Sequence, residues 1–97
     1  MGTTMREQRI AIVLNELSIR VAEYNTTMED LIDDFNQERR ASMQIRKRAQ
    51  KVIAMADKVM CRFLAIVSDN NISEDCALVK VFHKRRATFN KLELFFH

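Results

Sequence analysis

From Ile10 onward, apolar residues recur at spacings of four, three, four and three: Ile10, Leu14, Leu17, Val21, Tyr24, Met28, Leu31 and Phe35. The same register resumes at Ile45, Ala49, Val52, Ala56, Val59, Phe63 and Ile66, and only Glu38 and Ser42 interrupt it. A repeat of about 3.5 residues does not suit a strand, whose faces alternate every second residue. It marks helices that pack lengthwise on other helices. The chain has no proline and one glycine, at position 2. A β protein of this length needs turn residues that are missing here, so the expected fold class is all-α.

The pattern divides into three helices in one domain spanning 1–97. Thr4 and Glu7 form a T-x-x-E capping box, which starts helix 1 near Met5 and carries it to about residue 36. Helix 2 is expected over about 40–68. It ends at Ser68-Asp69-Asn70-Asn71, where Asn and Asp tolerate turn geometry. Ser73 is the expected cap of helix 3, over about 74–96, with Glu74 and Asp75 suited to its positive end. The apolar side of helix 3 is read as Leu78, Val81, Phe82, Phe89, Leu92, Phe95 and Phe96.

Residues 36–42 are polar yet contain no helix breaker, so two arrangements compete. In the favoured one, helices 1 and 2 form a long antiparallel hairpin and helix 3 completes a three-helix bundle. In the other, one helix runs from 5 to 68, roughly 95 Å long. It would form a dimeric coiled coil with helix 3 folded back. Charge favours folding over. Residues 1–38 hold 3 basic and 8 acidic side chains, and residues 39–97 hold 13 basic and 5 acidic. An acidic half against a basic half is electrostatically favourable. Met5, Ile12 and Ile19 add a second stripe on the back of helix 1, and Ile53, Met60 and Val67 widen the face of helix 2. Wider faces imply more than one neighbour, so self-association is expected.

These features point to a non-enzymatic interaction or oligomerisation module, a subunit or fragment of a larger intracellular assembly. The packing and interface residues are Ile12, Leu14, Leu17, Ile19, Val21, Tyr24, Leu31, Phe35, Val52, Val59, Phe63 and Ile66. The partners are protein helices, in a homo-oligomer or a hetero-complex. Phe89, Phe95 and Phe96 read as core, with a groove-seeking anchor as the alternative.

The rival reading is nucleic-acid or acidic-partner binding. Arg40, Lys47, Lys51, Lys58 and Arg62 line one face of helix 2, and Lys84, Arg85 and Arg86 add charge on helix 3. A solvated helix face explains the same residues, and no aromatic interleaves them to stack bases. Arg39-Arg40-Ala41-Ser42 and Arg85-Arg86-Ala87-Thr88 match basophilic kinase motifs, making Ser42 and Thr88 candidate phosphorylation sites, although such short motifs often arise by chance.

No catalytic constellation stands out. Glu29, Asp30, Asp33 and Asp34 cluster, but no E-x-x-H accompanies them. Cys61, Cys76 and His83 lack the paired spacing of a zinc site, so neither a metal nor a cofactor is expected. Two cysteines do not make a disulfide framework, which suits a reducing cytoplasmic or nuclear setting. No apolar run approaches the roughly 18 residues of a membrane span, and no membrane partner is expected.

Overall fold

Thr4 sets where the first helix begins. In the computed structural model its hydroxyl accepts the Glu7 backbone N–H at 3.2 Å, and its carbonyl accepts that of Gln8 at 3.0 Å. The Thr4 hydroxyl, one half of the expected capping box, thus satisfies a donor that an uncapped helix would leave to water. The structure describes residues 4–37 and 42–97. They form helix α1 (Met5–Gln37), helix α2 (Ser42–Asp69), helix α3 (Ala77–Glu93) and a closing 3-10 turn (Leu94–Phe96). Every regular element among the described residues is helical, and together they make a helical bundle.

α1 and α2 are separate helices packed on each other. The longest dimension of the molecule is 59 Å, far short of the roughly 95 Å that an unbroken helix over 5–68 would need. The polar interruption expected at 36–42 falls partly outside the described residues, as do Glu38 and Arg40.

α2 stops where its asparagines stand. Asn71 takes the left-handed backbone conformation with φ 51°. The Asn71 N–H donates to the Ser68 carbonyl at 3.3 Å, and the Ile72 N–H donates to the Val67 carbonyl at 3.0 Å. That crossed pair is the Schellman arrangement, with Asn in the position usually held by Gly. The Asn70 side chain adds a bond to the Ile66 carbonyl at 2.8 Å. The carbonyls of Ile66, Val67 and Ser68 are therefore occupied, and Ile72 returns against the core.

α3 begins at Ala77, three residues later than the expected 74. The cause is Ser73. Its hydroxyl accepts the Asp75 N–H at 3.1 Å, and its carbonyl accepts the Cys76 N–H at 3.1 Å. Ser73 closes a tight turn and does not cap a helix. The residue ahead of α3 is Cys76, whose extended backbone (φ −61°, ψ 132°) is stabilised by no side-chain cap.

The core explains why α1 can hold two neighbours at once. One seam runs Ile10, Leu14, Leu17, Val21, Tyr24, Met28, Leu31 and Phe35. A second runs Ala11, Leu14, Ser18, Val21, Asn25, Met28 and Ile32, with the same alternation of three and four. The seams share Leu14, Val21 and Met28, which are among the most deeply buried side chains. α3 docks along the second seam, where Arg85 meets Ser18 and Asn25. On α2, Ile45, Ala49, Val52, Ala56, Val59 and Phe63 are buried, and Ile53, Met60 and Val67 widen the face as expected. On α3 the buried positions are Val79, Phe82 and Phe89, continued by Phe96 in the closing turn. Val81, expected inside, is exposed, and its place is taken by Val79. The phase through Phe82 and Phe89 requires this, because residue 79 precedes Phe82 by one helical step of three. Phe63 and Phe82 join α2 to α3 as a parallel stack, with ring centroids 3.7 Å apart and planes within 5°.

Candidate interaction surfaces

The expected packing residues separate into two groups. Leu14, Leu17, Val21, Leu31, Val52, Val59 and Phe63 are buried within the chain, and Tyr24, Phe35 and Ile66 are half-buried around them. Ile12 and Ile19 are not part of that core. They stand on the outer side of α1 with Met5, and the three are 58%, 42% and 70% exposed in the order Ile12, Ile19, Met5. The stripe read as a second packing face of helix 1 is therefore uncovered. The face that receives α3 is the one through Ser18 and Asn25, which polar residues disguise in the sequence.

Those polar residues form a small network across the α1–α3 boundary. The Arg85 guanidinium donates to the Ser18 hydroxyl at 2.8 Å, and the Asn25 amide nitrogen donates to the Arg85 carbonyl at 3.0 Å. The amide orientation follows from this geometry, since a reversed amide would set two oxygens against each other. The Asn25 amide oxygen is left buried with no hydrogen-bond partner. Arg85, expected on a solvent-facing basic surface, is half-buried and directed to α1. Arg86 is half-buried too.

The remaining basic row is open. Lys47, Lys51, Lys58 and Arg62 on α2 and Lys84 on α3 are exposed, while Arg40 lies outside the described residues. Among the described residues the basic–carboxylate contacts within 4 Å are His83 with Glu74 at 3.0 Å and His97 with Glu93 at 3.3 Å. No Lys or Arg closes a pair with a carboxylate. Among the described residues the acidic side chains of α1 make no pair within 4 Å with the basic ones of α2 and α3.

Two further features lie at opposite ends. At one, Phe35 receives Phe95 edge-on at 5.4 Å and Phe96 at 6.1 Å, and the Arg46 guanidinium lies 5.2 Å from the Phe35 ring centre. Phe89 and Phe96 are core, whereas Phe95 is exposed, as are Leu94 and Met43. At the other, an open cavity of about 630 Å³ is floored by Ile10, Leu14, Ile72 and Leu78 and rimmed by Arg6, Glu7, Asn70 and Cys76.

Of the two candidate phosphorylation sites, Ser42 is half-buried at the start of α2. Thr88 is exposed, and its hydroxyl donates to the Lys84 carbonyl at 3.1 Å. Among the described residues no group of His, Cys, Asp and Glu is placed to hold a metal ion, and no helix is long and apolar enough to cross a membrane. Comparisons with family models, characterised proteins and solved structures give no match. Functional inference for this chain therefore rests on its surfaces.

Sequence reasoning missed Val79, Ser18 and Asn25 as packing residues. A signal for the last two was present, since Ala11, Leu14, Ser18, Val21, Asn25, Met28 and Ile32 keep the three–four spacing. Counting small and amide side chains as seam residues would have found it.

Proposed function

We propose that this chain is a non-enzymatic helical protein–protein interaction module that self-associates or recruits partner helices within a larger intracellular assembly. The observation that carries this reading is the uncovered stripe Met5, Ile12 and Ile19. Single exposed apolar residues are ordinary on a protein surface, but three in line along one helix face form a surface suited to another helix. In this reading one copy is an antiparallel α1–α2 hairpin with α3 laid against it. Support comes from both ends. Arg6, near the start of α1, donates to the Asn70 side chain just past the end of α2, at 3.4 Å. Phe35, near the end of α1, lies beneath Arg46 near the start of α2. The thiols of Cys61 and Cys76 are unpaired, which suits a reducing compartment.

Sedimentation equilibrium over a concentration series tests the reading. The expected result is a mass rising from one copy toward two at tens of micromolar, and a strict monomer throughout contradicts it. The second reading is polyanion binding, favoured by Lys47, Lys51, Lys58 and Arg62, which are exposed on α2 and have no carboxylate within 4 Å among the described residues. Its sign is duplex binding that weakens steeply with salt, and no detectable binding at about 50 mM salt excludes it.

A further inference from the structure

The outer face of α1 changes character along its length. Met5, Ile12 and Ile19 fall within about 40° of one another around the helix axis. Beyond them the same face carries Glu23, Asp30 and Asp34, all exposed. The apolar portion covers 15 residues, or roughly 21 Å from first to last. It ends where the acidic portion begins. A helix that lies on the stripe must cover the first part without being driven off by the second.

From this we infer that the occupant is α1 of a second copy, antiparallel, about a two-fold axis near Ile12. The inference rests on the interaction-module reading above. In this arrangement Ile12 meets its own counterpart, and Met5 of each copy meets Ile19 of the other. The charges beside the stripe match the same symmetry. Arg9 and Glu16 are exposed, lie on one side of the stripe, and stand three residues before and four after Ile12. Among the described residues neither closes an ion pair. In a two-fold antiparallel pair, like flanks face each other, so Arg9 of each copy comes opposite Glu16 of the other. One surface thereby supplies both halves of two ion pairs, as an isologous interface requires.

A parallel pair fails on the same residues. It would align Glu16, Glu23, Asp30 and Asp34 with their own copies along the whole face, and facing like charges are destabilising. The antiparallel pair leaves Glu23, Asp30 and Asp34 beyond Met5, the first residue of the partner's α1. Three aliphatic side chains per copy make a small contact, at the low end for a specific interface, so the dimer is weak and reversible.

Cysteine cross-linking in the full chain tests the arrangement. In a Cys61→Ser, Cys76→Ala background, Met5→Cys, Ile12→Cys and Ile19→Cys are introduced singly and oxidised with copper–phenanthroline. Ile12→Cys should join to itself. A mixture of Met5→Cys and Ile19→Cys should give the mixed dimer faster than either same-site dimer. Faster same-site dimers at positions 5 and 19 indicate a parallel pair and overturn the inference, and equal rates for all combinations indicate random collision and also overturn it. A second arm uses charge reversal. Arg9→Glu or Glu16→Arg alone should weaken the dimer about 2- to 10-fold through two exposed pairs, and the double reversal should restore it. Failure of the double to restore overturns the proposed pairing. A wild-type chain that dimerises in the ultracentrifuge but fails these tests contradicts only the arrangement, while a wild-type monomer contradicts the module reading as well.

Discussion

Arg85 shows how one side chain can decide where a helix docks. Its guanidinium reaches the Ser18 hydroxyl, and its backbone carbonyl accepts from Asn25, so two bonds at one point fix α3 along α1. Arg85→Ala should cost about 1–2 kcal/mol in urea unfolding, because a charged donor to a buried hydroxyl is lost. Ser18→Ala should cost less, and a double-mutant cycle should return a coupling of about 1 kcal/mol. Asn25 is different. Its amide oxygen is orphaned, so the desolvation of that atom offsets the bond made by its nitrogen. Asn25→Leu should therefore change stability by less than about 1 kcal/mol while loosening the register of α3. At Asn71 the left-handed backbone sets the expectation. Asn71→Gly should be tolerated, and Asn71→Val should cost about 1–2 kcal/mol. Asn71 was legible in sequence as part of a stop signal. The role of Arg85 was not, because a cation reads as solvent-facing until its partner across the fold is known.

At the scale of elements, the α1–α2 seam was legible because its residues are aliphatic and its spacing is regular. The α3 seam on α1 was not, since Ser18 and Asn25 interrupt the apolar pattern without interrupting the packing. The start of α3 was misplaced for a local reason: Ser73 serves a turn as well as it would serve a helix cap, and only the backbone decides between them. Sequence reading places Val81 on the apolar side and passes over Val79, because neighbouring aliphatic residues in a short helix fit two phases. The cross-helix stack of Phe63 on Phe82 follows from the correct phase. Phe63→Ala or Phe82→Ala should each cost about 3–5 kcal/mol, the usual range for deleting a buried ring. Val81→Ala, on the exposed side of the same helix, should cost less than about 0.5 kcal/mol. Thermal or denaturant unfolding of the three variants checks the phase of α3 directly.

At the scale of the molecule, the division of charge survives folding. An acidic first helix and two basic ones pack through apolar seams, and among the described residues no Lys or Arg pairs with a carboxylate. Stability of the bundle should thus depend little on salt. Between about 50 and 500 mM sodium chloride the midpoint of thermal unfolding should move by less than about 4 °C, the shift that roughly 1 kcal/mol produces in a domain this size. α1 faces α2 and α3 on two sides, and its third side carries the exposed Met5, Ile12 and Ile19, the surface proposed for pairing. Small-angle X-ray scattering over a concentration series tests that picture in one measurement. At infinite dilution the radius of gyration should lie near the 15.9 Å of the single bundle, and it should rise with concentration as copies pair through α1. A maximum dimension near 95 Å at the lowest concentrations, the span of an unbroken helix over 5–68, would contradict the bundle. A radius of gyration that does not change with concentration would contradict the pairing.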